Sequence, residues 1–155
     1  MDLDIRFGFG QWHGFRTELI FNEPCVVASP INSSVTSVTE MLNEPRIHLM
    51  GYEQIWRKFF DACGCDSQPP YKPFVTVDTS LAALELVSCG VGHTIVLGAF
   101  AEHYFSTGRA KQAVDLELPH DESHFLAFPD NGKVTPPKVT AFRDWLMDEA
   151  AARRK

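Results

Sequence analysis

The reactive side chains of this sequence form no complete catalytic motif. Cys25 or Cys89 together with His93 has the composition of a nucleophile and its general base. Such a pair needs an orienting acid or a strained turn that exposes the nucleophile, and neither motif accompanies these residues. Free cysteines are more often buried as small apolar residues. The sequence therefore predicts no catalytic residue and no enzyme, and a small enzyme that uses a cysteine and a histidine is kept as an alternative.

Two short spacings resemble metal-binding patterns. His120 and His124 are four residues apart, which would place both rings on one face of a helix. This stretch follows a proline and is typical of a loop that runs into a strand, where four residues span about 13 Å, too far for two ligands of one ion. Cys63-Gly64-Cys65 lacks a second cysteine pair. The sequence predicts no metal site and no cofactor.

Composition and charge restrict the class of protein. The chain has 155 residues, of which 45% are hydrophobic, enough for one domain with a hydrophobic core that needs neither metals nor disulfides. Its net charge is -6, which repels a phosphate backbone, and the basic residues cluster only at 153–155. Direct contact with DNA is therefore not expected from this chain.

The compartment follows from three further observations. The opening residues show no basic stretch followed by an apolar one, as a signal peptide would. No apolar run approaches the roughly 18 residues of a membrane span. The four cysteines lack the regular spacing of a disulfide framework. We predict a cytoplasmic protein with no membrane partner.

Strands and helices alternate along the chain, which predicts an α/β fold with a mostly parallel sheet, helices on both faces and ligands at the carboxyl ends of the strands. One helix is predicted to bury Ile55, Trp56, Phe59 and Phe60, and the last helix to bury Val139, Phe142, Trp145 and Leu146. The predicted strands are Leu3–Phe7, Leu19–Ala28, Arg46–Met50, Pro73–Val77, His93–Leu97, Val114–Leu118 and His124–Phe128, and the helices lie near 36–42, 53–62, 78–90, 99–105 and after Pro137, with Asp78 as the third helix's N-cap.

Three segments in order carry a family resemblance. The first is Asp4-Ile5-Arg6-Phe7-Gly8 with Gly10, Trp12 and Gly14, followed by a long strand that ends at Ser29-Pro30. The second combines Trp56, Phe59, Phe60 and Gly64 with residues 74–86 and Gly90-Val91-Gly92, and the third is residues 141–146. Together they resemble the effector-binding domain of LysR-type transcription regulators over nearly the whole chain, and look closest to the glycine-cleavage and β-lactamase regulators of that family.

The resemblance implies a type II periplasmic-binding-protein-like fold, with two Rossmann-like lobes joined by crossover strands and one lobe incomplete. Residues 30–118 would form a continuous lobe, and residues 1–29 plus 119–155 a partial split lobe. The chain would then be a ligand-sensing regulatory domain. It would bind a small effector between the lobes and control DNA-binding output, as part of a dimer.

The resemblance also implies the effector-binding residues. Thr79 and Ser80 open a helix directly after a strand, and the free N–H groups and helix dipole there suit a carboxylate. Arg6, Phe7, Gly8 and Gly10 would face the effector from the other lobe, because glycines let backbone approach a ligand closely. The alternatives are an ordinary helix cap at Thr79, a structural cation at Arg6 and glycines that only make the turn.

Two portions of the family pattern have no counterpart here: the DNA-binding half and the first strand-helix-strand portion of the split lobe. Without the latter we expect an apolar patch and an unpaired sheet edge near Leu3–Phe7 and the last helix. Self-association or pairing with another LysR-type chain would follow. A truncated interaction fragment and a solute-binding protein outside the membrane are kept as alternatives.

Overall fold

The computed structural model describes residues 2–52, 54–65, 75–118, 121–132 and 134–152. The chain divides into two compact units. Unit 1 combines Met1–Glu23 with His120–Lys155, and unit 2 is Pro24–Pro119. In the described residues, the elements in chain order are β1 (Asp4–Gly8), β2 (Phe15–Phe21), β3 (Cys25–Pro30), α1 (Val38–Met41), β4 (Ile47–Leu49), α2 (Ile55–Ala62), β5 (Val75–Val77), α3 (Ser80–Ser88), β6 (Thr94–Leu97), α4 (Gly98–Ser106), β7 (Ala110–Leu118), β8 (Ser123–Pro129) and α5 (Pro137–Ala152).

The predicted extended run over Leu19–Ala28 is two strands. β2 ends at Phe21 and pairs with β8 in unit 1, whereas β3 begins at Cys25 and pairs with β6 and β7 in unit 2. The break falls at Asn22-Glu23-Pro24, where the proline has no N–H to donate to a ladder. Unit 2 therefore includes β3 and begins at Pro24.

The described sheets are mainly antiparallel, and the prediction of a mostly parallel sheet is wrong. In unit 1 the order is β1-β8-β2, and both outer strands run against β8. In unit 2 the order is β6-β3-β7, and β3 runs against both neighbours. Among the residues that the structure describes, parallel pairing is confined to β4 with β5 and to the bridge between Arg46 and His93. The strand that brings the chain into unit 2 thus lies beside the strand that leads it out, in the opposite direction.

The core of unit 2 lies between its strands and the helices α2, α3 and α4. One cluster of buried residues joins Val26 and Val96 of the sheet with Leu84 and Val87 of α3. The buried face predicted for α2 is confirmed, since Ile55, Trp56, Phe59 and Phe60 are all buried. The Trp56 indole donates to the Ile47 carbonyl over 3.3 Å and stacks on Phe60 with 5.9 Å between ring centroids.

The core of unit 1 is the contact between its sheet and α5. Ile20, Leu126 and Phe128 pack with Val139 and Ala150, and Leu146 and Met147 are partly buried against them. The predicted burial of Phe142 and Trp145 is wrong, because these side chains are 38% and 56% exposed. They lie on the helix face beside the buried stripe, with their ring centroids 5.7 Å apart.

Candidate functional site

In unit 1, Arg6 is held by its own neighbours. Its Nε donates to Asp4 Oδ2 over 3.0 Å, and its guanidinium lies 3.9 Å from the Phe15 ring centroid and 5.6 Å from that of Trp12. A cation over an aromatic face is attracted by the ring quadrupole, and the carboxylate adds a charge-assisted hydrogen bond. Arg6 is therefore paired with Asp4 and packed on two aromatic rings, and its contact with an effector stays a prediction.

Two glycines, one at the end of β1 and one in the loop after it, let the chain fold back on this aromatic cluster. Gly8 and Gly10 both have positive φ, +148° and +77°. A Cβ on Gly10 would lie 2.6 Å from two ring atoms of Phe125, whose ring meets Trp12 edge-on with 5.8 Å between centroids. The Thr17 hydroxyl donates to the Gly10 carbonyl over 2.8 Å. The loop conformation accordingly depends on Gly10 having no side chain.

Phe7 does not share a sheet face with Arg6. Side chains alternate along a strand, so consecutive residues point to opposite faces. The Phe7 ring packs against His124, with centroids 4.8 Å apart, and Phe21 lies 4.9 Å from the same imidazole. Burial lowers the pKa of His124, an effect partly offset by the Glu23 carboxylate. The Phe7 ring is thus part of an aromatic cluster with Phe21 and His124, and its role toward an effector stays a prediction.

In unit 2, Thr79 and Ser80 begin helix α3, which directly follows β5. Thr79 is the N-cap, with extended backbone, and its hydroxyl accepts from the Ala82 N–H over 3.2 Å. The predicted cap, Asp78, is wrong by one residue. The capping bond uses a lone pair of the Thr79 hydroxyl and leaves its proton free to donate. Thr79 is exposed and Ser80 half-buried, so donors at this helix start face solvent.

Sequence reasoning missed a buried polar cluster in unit 2. His93 is almost fully buried, and its Nδ1 lies 2.8 Å from the Ser29 hydroxyl. Its Nε2 lies 3.8 Å from a Glu44 carboxylate oxygen. Burial lowers the pKa of His93, the Glu44 carboxylate partly offsets this effect, and Lys111 adds to it. The clue in the sequence was a histidine at the start of an apolar strand, but its partners are distant along the chain.

The alternative of a Cys/His enzyme finds no matching geometry in these residues. The ring nitrogens of His93 face Ser29 and Glu44 and not a thiol. Cys25 is buried within β3, and Cys89 is the exposed C-cap of α3. All four cysteines are free, and burial together with neighbouring Cys65 raises the pKa of the Cys63 thiol, the opposite of what a nucleophilic thiolate needs.

No metal site is found among the residues that the structure describes, where no three or more His, Cys, Asp or Glu side chains are grouped to hold an ion. His120, one half of the spacing considered above, lies outside the described residues. No described helix is both long enough and apolar enough to cross a membrane.

Comparison with known proteins identifies the class. Residues 1–151 match the family described as the LysR substrate binding domain, and the chain belongs to this family. Among curated relatives, the transcriptional activator AmpR of Pseudomonas aeruginosa is 25% identical over 157 residues, covering 100% of this chain and 52% of the relative. AmpR of Enterobacter cloacae is 26% identical over 153 residues, covering 96% and 51%. The chain thus spans about half the length of the curated relatives it matches.

Solved structures agree with the family. The effector domain of Pseudomonas aeruginosa AmpR aligns with a TM-score of 0.85 at 26% identity, covering 99% of this chain and 74% of that one. The AmpR effector binding domain of Citrobacter freundii aligns with a TM-score of 0.86 at 19% identity, covering 98% and 76%. The predicted family and the predicted α/β, type II periplasmic-binding-protein-like fold class are both confirmed.

Proposed function

We propose that this chain is the effector-sensing module of a bacterial LysR-type transcription regulator, cytoplasmic and without catalytic activity. In this proposal a small effector binds between two lobes and controls the DNA-binding output of the regulator. The observation that carries the proposal is the family match over residues 1–151, shared with relatives named as transcriptional activators.

The proposed effector is a small carboxylate held at the start of α3. The first N–H groups of a helix lack partners within the helix, and the positive end of its dipole lies there. Thr79 adds a hydroxyl proton, and Ser80 adds a second hydroxyl. On the unit 1 side, Gly8 and Gly10 would offer backbone, while Phe7 and Arg6 would contribute less because their side chains are already packed. Thr79 is thus the residue on which binding should depend most.

Calorimetry against a panel of small carboxylic acids tests this site. Loss of a hydrogen bond to a charged group costs about 1.5–3 kcal/mol, so Thr79→Ala should weaken binding roughly ten- to a hundredfold. Thr79→Ser keeps a hydroxyl and should bind like the wild type. Ser37→Ala is the matched control, because it removes the N-cap of α1 in the same unit. A ligand that binds Thr79→Ala as tightly as the wild type would show that Thr79 is only a cap.

We further propose that the chain self-associates, or pairs with another LysR-type chain, through unit 1. Phe142 and Trp145 form an exposed aromatic ridge on α5, and Ile5 of β1 is 48% exposed. In the described sheet β1 pairs on one side, with β8, and is an edge strand. Exposed apolar side chains beside a free strand edge are typical of an association surface.

Sedimentation velocity tests the association. Trp145→Ser combined with Phe142→Ser should shift the wild-type oligomer toward monomer. Val134→Ser changes an apolar residue of the same unit that is 95% exposed, and it should leave the oligomer unchanged. A wild-type chain that sediments as a monomer at every concentration would contradict the proposal.

A further inference from the structure

The cluster around His93 joins three segments of unit 2 that are far apart in sequence. Ser29 belongs to the end of β3, Glu44 to the turn before β4, and His93 precedes β6. The backbone is tied at the same place, because the His93 N–H donates to the Pro45 carbonyl over 2.9 Å and the His93 carbonyl accepts from Ile47 over 2.8 Å. The imidazole thus lies where the turn is fastened to the sheet.

The fit at this junction is close. A Cβ on Gly92 would lie 2.6 Å from the Pro45 carbonyl oxygen, so only glycine lets the turn approach the chain before β6. Beside it opens a cleft of about 320 Å³, lined by Asn32, Ser33, Ser34, Glu44 and His93, among others. The cleft lies at the amino end of β6, whereas Thr79 follows the carboxyl end of β5. It is therefore a different place from the proposed effector site.

A proton on His93 changes what each contact requires. The neutral ring has one donor and one acceptor, so the Ser29 hydroxyl and Nδ1 satisfy each other in either tautomer. The imidazolium has two donors and no acceptor, so Ser29 must then accept. The charged groups facing the ring are Glu44 from the turn and Lys111 from β7, while the Arg46 guanidinium lies over the Phe60 ring, 5.4 Å from its centroid. Glu44 favours the charged ring, and Lys111 and burial oppose it.

We propose that His93 is a proton-sensitive latch: proton uptake by its ring releases the turn that carries Glu44 and Pro45 and opens the adjacent cleft. The physical reason is that the His93 ring is almost fully buried, so that its charged form loses the solvation it has in the unfolded chain, and one carboxylate at 3.8 Å does not replace that solvation. Opening the turn exposes the ring to solvent, where the charged form is stable. Protonation of the His93 ring and closure of the turn therefore disfavour each other. This coupling does not depend on whether the chain senses an effector.

Hydrogen exchange of the Ile47 and His93 amides measures the latch, because both amides are bonded across the junction. After correction for intrinsic rates, their protection in the wild type should fall as pH drops below about 6.5, by no more than tenfold per pH unit for one proton. In His93→Gln this pH dependence should be absent. His124→Gln is the matched control in unit 1 and should behave like the wild type.

Three results would overturn the latch. One is the same pH dependence in His93→Gln, and another is protection that rises as the pH falls, which would mean that Glu44 clamps the charged ring. The third needs no variant at position 93: an NMR titration of the wild-type His93 ring with a pKa at or above 6.5. In Glu44→Gln the same titration should give a lower pKa than in the wild type, since the carboxylate that favours the charged ring is gone.

Discussion

The aromatic residues on helix α2 of unit 2 are buried, and those on helix α5 of unit 1 are exposed. In unit 2, Trp56, Phe59 and Phe60 are packed against one another and almost fully buried. In unit 1, Phe142 and Trp145 occur at comparable helical spacing but remain exposed. The difference lies in what surrounds each helix. α2 lies in a unit with several helices and strands, whereas α5 packs one face on a three-stranded sheet. Aromatic residues at helical spacing thus identify an apolar helix face. They do not determine whether that face is buried within the same chain.

The largest expected effect separates the two tryptophans that lie on helices, Trp56 of α2 and Trp145 of α5. Trp56→Ala should lower the free energy of unfolding by about 3–5 kcal/mol, because it leaves a cavity in close-packed surroundings and an Ile47 carbonyl without its indole donor. Trp145→Ala should cost less than about 1 kcal/mol, since more than half of its side chain is already in water. Urea denaturation of both variants measures the contrast. Equal costs would mean that Trp145 is buried in solution, as in a stable dimer.

A second contrast concerns the loop glycines of unit 1. Gly10→Ala should destabilise unit 1 by about 1–3 kcal/mol, because it combines a left-handed backbone with a Cβ that meets the Phe125 ring at 2.6 Å. Gly14→Ala is the control. Its φ is also positive, +76°, but nothing lies within 4 Å of the added Cβ, so it should cost only about 1 kcal/mol. Thermal or chemical unfolding measures both losses of stability. The amount by which the loss for Gly10→Ala exceeds that for Gly14→Ala reports the energetic cost of displacing the loop from its packing with Arg6, Trp12 and Phe125.

Features that depend on neighbouring residues were predictable from sequence, and features that depend on distant partners were not. The buried face of α2 follows from helical periodicity within eight residues. The cap of α3 was predicted one residue early, since Asp78 and Thr79 are both good caps and the end of β5 selects between them. The direction of β3 against its neighbours is set by where the chain enters and leaves unit 2, which no local pattern records.

The candidate site shows the same limit. The sequence left a turn as one interpretation of Gly8 and Gly10, and both have positive φ, Gly8 as the last residue of β1 and Gly10 in the loop after it. It could not decide whether Arg6 is available, because Phe15, which stacks on it, is brought there by the pairing of β1 and β2 with β8. The contact between Ser29 and His93 spans 64 residues and rests on the pairing of β3 with β6. Buried polar pairs of this kind become visible only once strand order is known.

The smallest expected effect compares the buried histidines, His93 in unit 2 and His124 in unit 1. Burial lowers the pKa of both below the ordinary 6.5. As the pH falls through 6.5 the unfolded chain binds a proton that the folded unit resists, so stability is full above 6.5 and lost below it. Each histidine contributes at most about 1.4 kcal/mol per pH unit. Urea unfolding at pH 7.5 and at pH 5.5 measures how far the free energy of unfolding falls between the two. His93→Gln and His124→Phe should each reduce this fall by the contribution of the histidine that is replaced.

Those two variants also test whether the units unfold together. If unfolding is one cooperative transition, either substitution should reduce the pH dependence of the single midpoint. If unit 1 melts separately, His124→Phe should alter only the transition that α5 and its sheet report, and His93→Gln only the other. Trp145 fluorescence follows the first unit and Trp56 the second, once Trp12 is replaced by Phe. If the pH dependence of the free energy of unfolding is unchanged in both variants, carboxylates and not these imidazoles cause the loss of stability at low pH.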